Sequence, residues 1–133
     1  MSDNSYGLTI LGSKTLEPRD QVECFPNDHF LPYQISLTSN EFTCKCPVTG
    51  QPDFASIGIE YFPNKSVVES KSLKLFLWSY RDVGIFHENV VNQIADILYD
   101  QIEPHWIRVI GVFNPRGGIG ITVTAERGEI PVN

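Results

Sequence analysis

The sequence predicts an α+β fold: an antiparallel β-sheet with two helices packed on one face. Three observations carry that prediction. Apolar residues alternate at period two or cluster as β-formers before residue 62, a helical period takes over between about residues 66 and 102, and strand-like runs return after Trp106.

Residues 1–28 mix Asn, Ser, Gly, Pro and charge with little periodicity, so they read as an irregular N-terminal arm, with residues 29–133 as the single folded domain. Residues 33–38 alternate apolar and polar side chains as a half-buried strand does. Pro47 and the Gly50-Gln51-Pro52 group then require a loop. Residues 54–62 form a second strand, with Ile57, Ile59 and Tyr61 on one face, before Pro63-Asn64 turns the chain. Leu73, Phe76, Leu77 and Tyr80 follow helical spacing, and Ser66 with Glu69 fits a capping box at the start of that helix. Gly84 interrupts the pattern. A second helix covers residues 87–102, with Val91, Ile94, Leu98 and Ile102 facing inward, and Pro104 ends it. Residues 106–113 and 119–124 are strands joined across a turn at 114–118. The sheet's two edges must be covered or paired, so edge-to-edge assembly into a ring is an expectation.

At 133 residues the chain fits one domain, and with 41% hydrophobic residues it can bury a core. A net charge of -6 argues against a nucleic-acid partner, because phosphate-backbone affinity rests on clustered Lys and Arg. No run of about 18 apolar residues is present, which excludes a membrane-spanning helix. Residues 1–14 lack the pattern of a signal peptide, so a cytoplasmic setting is expected. Cys24, Cys44 and Cys46 cannot all pair within one chain, and free thiols suit that setting.

The chemistry concentrates around Cys46-Pro47-Val48-Thr49-Gly50-Gln51-Pro52-Asp53. Two prolines restrain the loop and hold the thiol in place. A thiolate there would be a nucleophile, with Asp53 as its base or, after exchange, its acid; the alternative is an inert buried cysteine. Lys71 and Lys74, three apart on a helix, either meet a phosphate together or form a solvated charged face, and Arg116 could add a third cation. Glu88 at a helix start either grips the paired N–H edge of a purine-like ring or simply complements the helix dipole. A zinc site from Cys44 or Cys46 with His29 or His87 lacks the usual ligand spacing, so no metal is expected.

Residues 46–55, 69–76, 86–88 and 115–118 together resemble the NADPH-dependent 7-cyano-7-deazaguanine reductases, the QueF family of queuosine biosynthesis, single-module type. The resemblance implies the tunnelling fold (T-fold), with residues 29–133 as its catalytic domain. Small two-helix subunits of that fold assemble into rings, so it implies a homo-oligomer of stacked rings with active sites between subunits. It implies Cys46 as the nucleophile that attacks a nitrile carbon to form a thioimide, and Asp53 as the proton donor. Val68, Glu69, Ser70, His87 and Glu88 would bind the purine-like nitrile, with Phe86 covering its ring. Lys71, Lys74 and Arg116 would meet the phosphates of NADPH, used as a co-substrate. Cys44 lies outside the family pattern. Rival readings are the tunnelling-fold amidinotransferases, which act on the same nitrile held in transfer RNA; a zinc-dependent hydrolase like GTP cyclohydrolase; and a purine-binding ring that only sequesters its ligand. The intact lysine segment and the acidic charge disfavour the first.

Overall fold

The computed structural model describes residues 8, 9 and 19–132. Most of the expected N-terminal arm therefore lies outside the described residues. Within the rest of that segment, a short strand β1 (Cys24–Pro26) pairs antiparallel with β4 (Ser66–Val68). The main sheet is antiparallel, in the order β2 (Ile35–Lys45), β3 (Pro52–Phe62), β5 (Trp106–Arg116), β6 (Ile119–Gly128). Helices α1 (Ser70–Trp78) and α2 (His87–Ile102) cover one face. The α+β layer design expected from the changes of period is the one observed.

The core lies between that face and the helices. Ile57, Ile59 and Tyr61 on β3 and Ile107 and Val109 on β5 meet Val91, Ile94, Leu98 and Ile102 of α2 and Leu73, Phe76 and Leu77 of α1. Alternation along β3 is regular. At Gly111 the helix comes so close that an added Cβ would stand 2.6 Å from Val91 Cγ2 and 2.9 Å from Phe113 Cε2. Only glycine lets α2 pack there.

Two β-bulges account for strands that run further than the sequence pattern suggests. Ser39 pairs with Ile57 and Phe42 with Ala55, so three residues on β2 span two on β3. The extra residue flips the phase: Leu37 and Ser39 face the helices before it, Phe42 and Cys44 after it. The alternation seen at 33–38 breaks at that point, although the strand continues to Lys45. The same slip occurs on β5 between Phe113 and Arg116, at Asn114-Pro115, so β5 reaches Arg116 and a two-residue Gly117-Gly118 turn leads into β6.

The start of α1 also departs from expectation. Ser66 does not cap it, because Ser66–Val68 is extended in β4. Val67 and Val68 are β-branched, and a partner strand is available in β1. Glu69 is itself the N-cap, its carboxylate accepting from the N–H groups of Lys71 at 2.7 Å and Ser72 at 2.8 Å. Tyr80 is buried as expected, but in the turn after the helix, where its hydroxyl donates to Gln93 Oε1 at 2.7 Å.

Candidate active site

Cys46 follows β2 directly, in a turn closed by two backbone bonds. Its N–H donates to Gln51 O at 2.9 Å, and Gly50 N–H donates to its carbonyl at 2.9 Å. The α1–α2 connection braces the turn from outside: Lys45 N–H donates to Val83 O at 2.9 Å, and Ile85 N–H to Lys45 O at 3.0 Å. A Cβ on Gly84 would stand 3.2 Å from Pro47 Cα, so a small residue is needed where the connection passes the loop.

The loop itself favours the thiolate form of Cys46. The Thr49 hydroxyl, then the backbone N–H groups of Thr49 and Val48, hold the Cys46 thiol below its ordinary value, outweighing burial and the Asp53 carboxylate, which push it up. The Asp53 charge thus opposes the thiolate rather than creating it, and Thr49 is one residue that sequence reasoning missed. Its position three residues after a cysteine in a proline-restrained turn was the available signal. Cys24 and Cys44 behave oppositely: burial raises both to about 11, with the Asp53 charge adding to the effect at Cys44. They are structural thiols.

Asp53 sits one residue into β3 on the helix-covered face and is only 5% exposed. Each of its oxygens has a partner. Oδ2 lies 3.0 Å from His87 Nε2, and Oδ1 lies 3.1 Å from Arg116 Nη1. The His87 ring, at the first position of α2, stacks on Phe113 with centroids 3.8 Å apart and planes inclined by 6°. No sequence pattern pointed to Phe113. Glu88, next to His87 in the first turn, is exposed, and Phe86 before it is half exposed.

Cys46, Asp53, His87, Glu88 and Arg116 therefore gather at one end of the sheet. Val68, Glu69, Ser70 and Lys71 do not join them. Val68 N–H donates to the Tyr61 hydroxyl at 3.1 Å, and about 26 Å of extended strand separates Tyr61 from Asp53 along β3. A second ruler agrees. Glu69 N–H donates to Glu23 O, next to Val22, whose own N–H donates to Gln101 Oε1; Gln101 lies about 21 Å along α2 from His87. Lys74, one turn into α1, is exposed and borders an apolar groove of about 950 Å³ between α1 and the β2–β3 edge, with Leu37, Phe42 and Leu77 among its walls.

Among the described residues no group of three or more His, Cys, Asp or Glu is arranged to hold a metal, and no helix is long and apolar enough to cross a membrane. Arg116, expected at cofactor phosphates, directs its guanidinium at Asp53, Gln51 Oε1 (3.1 Å) and Pro52 O (3.2 Å).

Comparison with known proteins gives consistent results. The model of the family described as QueF-like protein matches residues 52–131. A protein of Anaeromyxobacter sp. (strain Fw109-5) named NADPH-dependent 7-cyano-7-deazaguanine reductase is 53% identical over 116 residues, covering 86% of this chain and 95% of its own. Proteins of the same name from Syntrophus aciditrophicus (51% identical; 90% and 85% covered) and Brucella ovis (48%; 100% and 90%) are similar throughout. The crystal structure of an archaeosine synthase QueF-Like in the apo form superposes with a TM-score of 0.70 at 24% identity, covering 77% of this chain and all of that one; this likeness concerns the fold.

Proposed function

The chain belongs to the QueF-like protein family, and on that premise we propose that it is an NADPH-dependent nitrile reductase, converting 7-cyano-7-deazaguanine to 7-aminomethyl-7-deazaguanine in queuosine biosynthesis. The observation that carries this reading is Cys46, its thiol lowered by the hydrogen bonds of its loop, at the same sheet end as the Asp53–His87 pair. Relatives at about half identity carry the reductase name, so nothing favours the amidinotransferase, hydrolase or sequestering readings.

The Cys46 thiolate adds to the nitrile carbon, forming a C–S bond as one nitrile π bond becomes a lone pair on nitrogen. Asp53, having taken the proton that the Cys46 thiol gives up, delivers it to that nitrogen, giving a neutral thioimide, and His87, held flat by Phe113, can supply Asp53 with its next proton. Two NADPH molecules used in turn would supply one hydride each, together the four electrons that separate a nitrile from an amine. Cys46 leaves as thiolate between the two reductions.

Glu88 accepts two parallel hydrogen bonds from the guanine-like edge, with His87 beside it and Phe86 over the ring. Val68, Glu69 and Ser70 border the substrate from a neighbouring subunit, since in one chain they lie more than about 20 Å from Asp53. Lys71 and Lys74 share a face of α1, and ammonium donors so spaced fit the cofactor's phosphates. The site is therefore intersubunit, and the molecule a homo-oligomer of ring type. A cytoplasmic setting, with reduced thiols and reduced nicotinamide, suits this chemistry.

Intact-protein mass with 7-cyano-7-deazaguanine alone tests the reading. A covalent adduct is expected, located at Cys46 and absent from Cys46→Ala; no adduct, or full turnover by Cys46→Ala, would sink it. Lys71→Ala combined with Lys74→Ala is expected to raise the NADPH KM about tenfold or more while sparing the adduct. Unchanged cofactor kinetics would remove the lysines from the site.

A further inference from the structure

The geometry points to Arg116 as a positioning residue that locks the Asp53 carboxylate and the Cys46 loop into one frame. Three observations converge on it. First, its guanidinium meets three acceptors on a short stretch of chain: Asp53 Oδ1, Gln51 Oε1 and Pro52 O, at 3.1, 3.1 and 3.2 Å. A planar fork suits such a set, whereas a single ammonium cannot span it. Second, Asp53 is almost fully buried and has His87 on its other oxygen, so Arg116 completes the pair of donors that fixes the carboxylate's rotation. Third, the bulge at Asn114-Pro115 turns residue 116 onto the helix-covered face that carries Phe113 and Asp53. Without the extra residue, strand alternation would aim the side chain at the opposite face.

The consequence concerns the nucleophile as well as the acid. Gln51 O accepts from Cys46 N–H, so the residue that Arg116 grips is also the one that closes the cysteine turn. Arg116 further opposes the Asp53 charge, which disfavours the thiolate. Losing it loosens the loop and leaves that charge, which raises the Cys46 thiol, with His87 as its remaining partner.

This inference rests on the nitrile-reductase reading for its kinetic arm, and a second arm stands without that reading. In the first, Arg116→Met is expected to slow thioimide formation without cofactor, and kcat at saturating NADPH, by about tenfold or more, with the NADPH KM within about twofold of wild type. In the second, the rate of Cys46 alkylation by iodoacetamide at neutral pH, followed by peptide mass, falls by about threefold or more. Arg116→Lys, which restores charge without the fork, should lie between in both arms. Wild-type alkylation and adduct rates in Arg116→Met, with only the NADPH KM raised, would overturn the inference and assign Arg116 to cofactor phosphate. If the wild-type protein forms no adduct with the nitrile, the functional reading fails and the alkylation arm still decides the role of Arg116.

Discussion

Three donors in its own turn lower the Cys46 thiol, and Thr49 supplies two of them. A hydrogen bond to the thiolate favours the charged form, so removing the hydroxyl moves the pKa upward. Thr49→Val is therefore expected to shift the pH midpoint of Cys46 alkylation toward the ordinary thiol value and to slow the reaction at neutral pH. An unmoved midpoint would show that the hydroxyl is not the donor. Cys24 and Cys44, raised to about 11, should stay unmodified over the same range. Asp53→Asn separates the two halves of the chemistry: adduct accumulates because the nucleophile survives, while turnover drops by about a hundredfold or more for want of a proton donor. Rapid turnover by Asp53→Asn would assign the proton to another group. Cys46 and Asp53 stood out as candidates in the sequence because reactive residue types shared a proline-restrained loop, whereas His87 entered as a site residue through the family resemblance. The support around them was not legible, since Phe113 under His87 and Arg116 on Asp53 are meetings across strands that only register and a bulge determine.

Elements place these side chains through close approaches that tolerate little change. Gly111→Ala would drive a methyl into Val91 and Phe113, an overpacking that should cost about 1–3 kcal/mol by chemical denaturation and disturb the ring on which His87 lies. Unchanged stability would contradict the tight α2–β5 packing. Glu69 serves α1 as its cap whatever else it touches, so Glu69→Ala should lower stability by about 1 kcal/mol in the same measurement. The two helices and the core face of β3 followed from periodicity in the sequence. The ends of β2 and β5 did not, because a bulge reverses the alternation on which a strand reading depends. The helical start was misplaced at Ser66 for a comparable reason: a capping pattern is local, whereas the pairing of Val67 and Val68 with β1 depends on a segment more than forty residues away.

The whole molecule divides its candidate site between two ends. Cys46, Asp53 and Glu88 occupy one, and the Val68-Glu69-Ser70-Lys71 segment the other, on the order of 20 Å away. A small substrate cannot span that distance, so on the proposed reading assembly would complete the site. Mixing Cys46→Ala with Glu69→Gln, after dissociation and reassembly, should therefore restore turnover toward roughly a quarter of wild type, because some interfaces then pair an intact half from each variant. Mixtures as inactive as their components would mean that one chain supplies the whole site. The central claim, nitrile reduction through Cys46, is tested most directly by NADPH consumption with 7-cyano-7-deazaguanine, measured against amine formed and against the adduct in intact-protein mass. The expected result is about two NADPH per amine, with a Cys46 adduct when cofactor is withheld. An adduct with no NADPH consumption would contradict the reductase.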